Sequence, residues 1–109
     1  MYNATMTVQQ IRTILLQNNL LKELITPLEW AYTIPKEMME LSFTSVHYDS
    51  RLATKDTLFF CKGAAFEQRY LETAIQQGAT CYIAEQPYEA VAAFGIIVTD
   101  IREAMAVIA

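Results

Sequence analysis

The chain has 109 residues, 53% of them hydrophobic, with three Gly and three Pro, which is enough for one domain with a sizeable core and leaves little room for disorder. Its net charge is −4 and its Lys and Arg residues are not clustered, which argues against nucleic acid as a partner because phosphate contacts need clustered positive charge. No apolar run approaches the roughly 20 residues of a membrane span, and Met1-Tyr2-Asn3-Ala4-Thr5 lacks the basic start and apolar core of a signal peptide, so a cytoplasmic protein with no membrane partner is expected.

Thr7-Val8-Gln9-Gln10 has the form of a capping box, in which the Thr hydroxyl accepts from a first-turn amide and Gln10 reaches back. Val8, Ile11, Ile14 and Leu15 then recur at helical spacing. Asn18-Asn19 is a stop, since Asn tolerates the left-handed conformation at a helix end. Residues 20–25 read as a further short helical piece, closed by Pro27. Residues 28–34 form a strand or an extended arm, with Trp30, Tyr32 and Ile34 alternating, and Pro35-Lys36-Glu37 is a turn. A weaker alternation from Leu41 predicts a strand running to about Tyr48, followed by a polar loop over residues 49–56. Residues 57–61 form a short apolar strand of the kind buried on both faces.

Residues 66–77 read as a helix whose stripe is Tyr70, Leu71, Ala74 and Ile75, with Gly78 at the position after its C-cap. Residues 80–84 are a strand, and residues 87–93 a loop or short helix. Gly95 introduces the strand Ile96-Ile97-Val98, and Asp100 with Glu103 caps a last helix carrying Ile101, Ala104, Met105 and Ile108. Strand alternates with helix, which implies an α/β fold: a small three-layer domain with a mainly parallel sheet and flanking helices, its crossovers right-handed. The last helix runs to Ile108 with no Gly, Pro or closing basic turn, and so short a helix is marginal alone. Residues 1–109 are therefore expected to be the first domain of a longer protein.

The candidate chemistry lies in two loops that leave two strands at one edge of the sheet, where open α/β folds place ligands. Asp49, Ser50 and Arg51 follow the first strand. A Ser hydroxyl there can donate and accept, and an Arg can fork onto phosphate or carboxylate. The competing reading is a turn, with Arg51 paired to Asp49. Lys62-Gly63-Ala64-Ala65-Phe66 follows the second strand; its small residues let a ligand approach the backbone, and Lys62 adds a point charge. The competing reading is an ordinary strand-to-helix connection, since neither G-x-x-x-x-G-K-[ST] nor G-x-G-x-x-G is present. Cys61 is not a phosphatase-type nucleophile: that loop needs Cys and Arg separated by five residues, and Cys61 and Arg69 are separated by seven. Cys61 and Cys81 are expected to be buried small hydrophobes, not a disulfide. His47 is the only histidine, and nothing is spaced with it for a metal.

At these residues the chain resembles the N-terminal domain of the Mur ligase family, and within it the UDP-N-acetylmuramoyl-tripeptide synthetases. The matching text is Tyr48-Asp49-Ser50-Arg51, then Leu58-Phe59-Phe60-Cys61-Lys62-Gly63, residues 70–79, Cys81-Tyr82-Ile83-Ala84-Glu85 and residues 97–105. The phrase from Leu58 to Phe66 is most similar to the lysine-adding synthetases of Gram-positive cocci and lactobacilli. The resemblance implies a first domain that holds the UDP end of UDP-MurNAc-L-Ala-D-Glu. A central domain would carry ATP and Mg2+, and a last one would bind the incoming amino acid. It implies UDP contacts from Ser50, with Asp49 and Arg51 beside it, and from the loop of Lys62, Gly63, Ala64, Ala65 and Phe66. Many relatives carry G-x-x-x-D-G-H/R in that loop, where this chain has Gly63-Ala64-Ala65-Phe66-Glu67-Gln68-Arg69. The P-loop, magnesium ligands and amino-acid specificity motif are absent from these residues, so no catalytic group and no cofactor is expected in this chain. The parent would be an ATP-dependent acid–amino-acid ligase, its central domain packed on this one. The alternative, from another class, is a non-catalytic α/β partner-binding module whose last helix packs on another chain.

Overall fold

Thr7 and Gln10 make the reciprocal cap: the Thr7 hydroxyl accepts from the Gln10 amide at 3.2 Å, and the Gln10 side-chain oxygen accepts from the Thr7 amide at 2.9 Å. Helix α1 (Val8–Gln17) follows and buries Val8, Ile11 and Leu15 on one face. It ends where the Asn18 side-chain amide donates to the Ile14 carbonyl at 2.8 Å. Asn19 then takes φ 57°, the left-handed region that Asn enters at low cost. These elements belong to a computed structural model that describes residues 6–25, 40–43, 45–54, 57–62, 66–88 and 93–108. The predicted arm at 28–34, the turn at 35–37 and residues 89–92 of the predicted 87–93 stretch lie outside that set.

The strands are β1 (Met6–Thr7), β2 (Leu21–Ile25), β3 (Ser42–Phe43), β4 (Ser45–His47), β5 (Thr57–Phe60), β6 (Cys81–Ala84) and β7 (Phe94–Val98). A five-stranded sheet has the order β2-β7-β6-β5-β4. Strands β4 to β7 are parallel, and β2 runs antiparallel along β7. β1 and β3 make a separate antiparallel pair. Helix α2 (Gln68–Gln76) joins β5 to β6, and α3 (Ile101–Ile108) follows β7. Among the described residues no helix is long and apolar enough to cross a membrane.

Two expectations are corrected. Residues 20–25 do not form a helical piece: Leu21–Ile25 is β2. A six-residue helix cannot offset its own nucleation cost, whereas as a strand the segment pairs with the backbone groups along the edge of β7. The single strand expected from Leu41 to Tyr48 is two strands in two sheets, β3 against β1 and β4 against β5. The remaining helices and strands among the described residues follow the reading closely. β5 is buried at all four residues, and the Cys61 amide extends its ladder by donating to the Ile83 carbonyl at 2.8 Å. α2 begins at Gln68 after Glu67, slightly later than expected, and it ends at Gly78 with φ 118°, a conformation that glycine alone adopts freely.

Strand alternation divides the core. Leu58, Phe60, Cys81, Ile83, Ile96 and Val98 pack with Val8, Ile11 and Leu15 of α1 and with Ile101, Ala104 and Ile108 of α3. Phe59, Cys61, Tyr82, Ala84 and Ile97 point the other way and pack with Leu71 and Ala74 of α2. The sheet is therefore the middle of three layers, as the sequence pattern predicts. Thr57 is the one buried polar side chain among the described residues. Its hydroxyl accepts from the Thr54 amide at 3.0 Å and shares hydrogen bonds with Ser45 and Thr54, so its burial leaves no unsatisfied group.

Gly95 lies within β7, where a Cβ would stand 2.6 Å from Cζ and from the hydroxyl of Tyr82. Tyr82 is fully buried and cannot swing away. Gly95→Ala is predicted to destabilise the protein by about 1–3 kcal/mol, the usual cost of overpacking a tight core. Urea unfolding would measure this, and an unchanged midpoint would show that Tyr82 repacks freely.

Candidate functional site

Tyr48 and Asp49 leave the carboxyl end of β4, and the chain then makes a 3-10 turn over Ser50–Leu52. The Asp49 carboxylate closes the turn by accepting from the Arg51 amide at 3.0 Å. It also takes the Arg51 guanidinium in a two-point pair, from Nε at 3.0 Å and from the second terminal nitrogen at 2.7 Å. Of the two readings left open for this motif, the structure shows the turn and the ion pair for Asp49 and Arg51. The Arg51 fork is occupied by its own neighbour and is 85% exposed. The backbone of Ser50 opens the turn, and its side chain is outside the described set.

The second loop starts at Cys61 and Lys62 after β5. Residues 63–65, which include Gly63, Ala64 and Ala65, lie outside the described residues, and Phe66 resumes the chain half-buried. The described starts of the two loops meet: the Lys62 ammonium stands 4.8 Å from the centre of the Tyr48 ring, within cation–π range.

Lys62 also lines a cleft of about 730 Å³ at the carboxyl ends of β5, β6 and β7, a usual size for a small-molecule site. Cys61, Lys62 and Phe66 come from the β5 loop, Glu85, Gln86 and Tyr88 from the β6 loop, and Asp100, Ile101 and Arg102 from the start of α3. One wall is aromatic: Phe66 packs edge-on against Tyr88, with ring centres 5.5 Å apart, and on Phe59 and Tyr70. The Tyr82 hydroxyl holds this wall by accepting from the Tyr88 amide at 3.2 Å. Another part of the lining is acidic. Glu85 accepts from the Ile101 amide at 2.9 Å, and Asp100 accepts from the amides of Arg102 and Glu103 at 2.9 and 3.0 Å. Carboxylates thus already satisfy the first amides of α3 and oppose its dipole.

Among the described residues, Lys62 and Phe66 are the predicted site residues that line this cleft and Asp49 and Arg51 do not; the β4 loop meets Lys62 through Tyr48. Sequence reasoning missed Glu85, Gln86, Tyr88, Asp100, Ile101 and Arg102 as wall residues. They follow β6 and β7 as Lys62 follows β5, so applying the strand-end rule to every parallel strand would have found them. Burial pushes the thiols of Cys61 and Cys81 well above the ordinary range, and both are free, in keeping with small core residues. Among the described residues no group of three or more His, Cys, Asp or Glu side chains is placed to hold a metal ion.

The hydrogen bonds from Arg51 lower the Asp49 carboxyl from its ordinary 3.8 to about 2. A depressed carboxyl contributes to the folded state above the ordinary carboxylate range, and the contribution is lost as pH falls through about 2. Carbon-detected NMR should show Asp49 titrating near 2 in the native chain and at a higher pH in Arg51→Gln, which loses the guanidinium and keeps the amide that donates to the carboxylate. An ordinary midpoint in the native chain would show that the pair does not persist in water, where exposed pairs are weak.

No protein-family model matches the chain. It is similar to the UDP-N-acetylmuramoyl-L-alanyl-D-glutamate–L-lysine ligase of Enterococcus faecalis, 46% identical over 104 residues, which is 95% of this chain and 20% of that protein. The ligase of the same name from Streptococcus pneumoniae is 44% identical over 94% of the chain and 20% of its own length. The UDP-N-acetylmuramyl-tripeptide synthetase of Lactococcus lactis subsp. cremoris is 43% identical, again over 94% of the chain and 20% of its own length. The chain therefore spans about a fifth of the length of the curated relatives it matches. Among solved structures, MurF from Acinetobacter baumannii superposes with a TM-score of 0.68 at 20% identity, over 94% of this chain and 20% of that one, which bears on the fold alone. Close likeness to the L-lysine ligases along nearly all of its length, on a fold shared with MurF, makes this chain a member of the Mur ligase family.

Proposed function

We propose that this chain is the nucleotide-sugar-binding domain of an ATP-dependent ligase that adds L-lysine to UDP-MurNAc-L-Ala-D-Glu in cytoplasmic peptidoglycan synthesis. The observation that carries this reading is the 46% identity to an L-lysine ligase whose name specifies both the uridine-linked substrate and the amino acid. The cleft at the strand ends supports it, since its size and its mixture of aromatic and polar walls suit a nucleotide.

In this reading the UDP end of the substrate enters the cleft. The Phe66–Tyr88 wall offers apolar contact for a base, and Glu85 and Gln86 offer hydrogen-bonding groups for a ribose or a base edge. Lys62 offsets diphosphate charge. Ser50 contributes a hydroxyl from the neighbouring turn, held by the Asp49–Arg51 pair, and the small residues Gly63, Ala64 and Ala65 let the nucleotide approach the backbone. Holding the remote end of a substrate orients its reacting end, which is the contribution to catalysis assigned to this domain. The residues present do not fit ATP and Mg2+: no G-x-x-x-x-G-K-[ST] phosphate cradle occurs in the chain. Both belong, in this proposal, to the central domain of the parent enzyme, which packs on this one.

Calorimetry should show UDP-MurNAc-L-Ala-D-Glu and UDP binding to this chain, with no ATP binding and no ligation. Ser50→Ala should weaken the nucleotide sugar by about 0.5–1.5 kcal/mol, the range for one neutral hydrogen bond, and leave the fold intact. Absence of nucleotide-sugar binding would reject the reading. An unchanged Kd in Ser50→Ala would reject only the role of Ser50.

A further inference from the structure

Tyr48 is 60% exposed and belongs to neither core, so packing does not account for its ring. It stands at the end of β4, next to β5 in the sheet, and the ammonium of Lys62 lies 4.8 Å from its centre. Two adjacent strands therefore hold an aromatic ring and a cation at one rim of the cleft. The other cations nearby differ. Arg51 is bound at two points by Asp49, and Arg102 stands at the start of α3 beside Asp100, with Glu85 bonded to the preceding amide of Ile101. Those carboxylates repel an anion, so Lys62 is the lining cation that suits one. A lysine is also a long, flexible side chain whose freedom is lost when it engages a ligand, and a ring that already restrains the ammonium reduces that loss.

We infer that Tyr48 is a positioning residue: its ring holds the Lys62 ammonium at the rim of the cleft, where it meets the phosphates of a nucleoside diphosphate. This rests on the nucleotide-binding reading and adds to it a residue outside the walls of the cleft. The ring, not the phenol hydroxyl, performs this role, and it acts through Lys62 without touching the ligand.

UDP is the probe, titrated into the native chain and into Tyr48→Phe, Tyr48→Leu, Lys62→Met and the double variant Tyr48→Leu/Lys62→Met. Tyr48→Leu should bind UDP about threefold more weakly, in line with a cation–π contact at an exposed site, and Tyr48→Phe should bind like the native chain. Lys62→Met should lose more, and Tyr48→Leu should cost nothing further in its presence. Without ligand, the Lys62 Cε protons should be shifted upfield by the ring in the native chain and in Tyr48→Phe, and not in Tyr48→Leu. Native affinity in Tyr48→Leu, a loss in Tyr48→Phe, or an equal loss when Lys62 is already Met would overturn the inference and leave the nucleotide reading standing. No UDP binding by the native chain would overturn both.

Discussion

Leu58 and Phe59 are neighbours in the chain, yet they are buried in different cores, Leu58 with α1 and α3 and Phe59 with α2. The same division runs along β6, through Cys81 and Tyr82, and along β7, through Ile96 and Ile97. A strand buried on both faces needs a cover on both faces, and that requirement places the helices. It also fixes register, because a slip of one residue would exchange the two cores along the whole strand. Each fully buried Leu, Ile or Phe contributes roughly 1.5–3 kcal/mol relative to exposure, so no alternative register competes. With both faces covered, the polar segments emerge at the strand ends. At the carboxyl ends of three neighbouring parallel strands they meet and form the cleft.

The walls of the cleft are fastened to those cores. Tyr82 belongs to the α2-side core, and its hydroxyl holds the backbone of Tyr88. Phe66 packs on Phe59 of the same core and on Tyr88, and both Phe66 and Tyr88 lie partly buried against that core. Glu85 reaches from the end of β6 to the first amide of α3, so the acidic wall joins two elements that follow different strands. A site supported in this way loses little freedom when a ligand arrives. The charges come from different loops, Lys62 from the one after β5 and the carboxylates of Glu85 and Asp100 from those after β6 and β7.

Much of this was legible in the sequence where the signal is local. The Thr7–Gln10 box, the stripe of α2 with Gly78 after it and the Asp100 cap rest on residues close together in the chain, and the structure contains each of them; the strand at 57–60 was legible from its unbroken apolar run. The failures occur where a distant partner decides. Leu21, Leu24 and Ile25 have helical spacing, and only the edge of β7 makes the segment a strand. The stretch around Thr44 gives no sign that Phe43 and Ser45 belong to different sheets. At the site, Asp49 and Arg51 pair with each other, a contact two residues apart that was among the readings the sequence offered. Glu85, Tyr88 and Asp100 follow β6 and β7 and were within reach of the strand-end rule; that their loops adjoin the loop of Lys62 depends on strand order, which a single sequence does not display. The family was legible for a different reason: a long ordered set of short matches is specific even when each match alone is weak.

The most direct test of the account is amide chemical-shift mapping of this chain, isotopically labelled, during titration with UDP. The account predicts perturbations that saturate together at Lys62, Phe66, Glu85 to Tyr88 and Asp100 to Arg102, with the amides of β2 and of the exposed face of α1 unmoved. Saturable shifts centred on β2 and α1, or none at the strand-end loops, would contradict it.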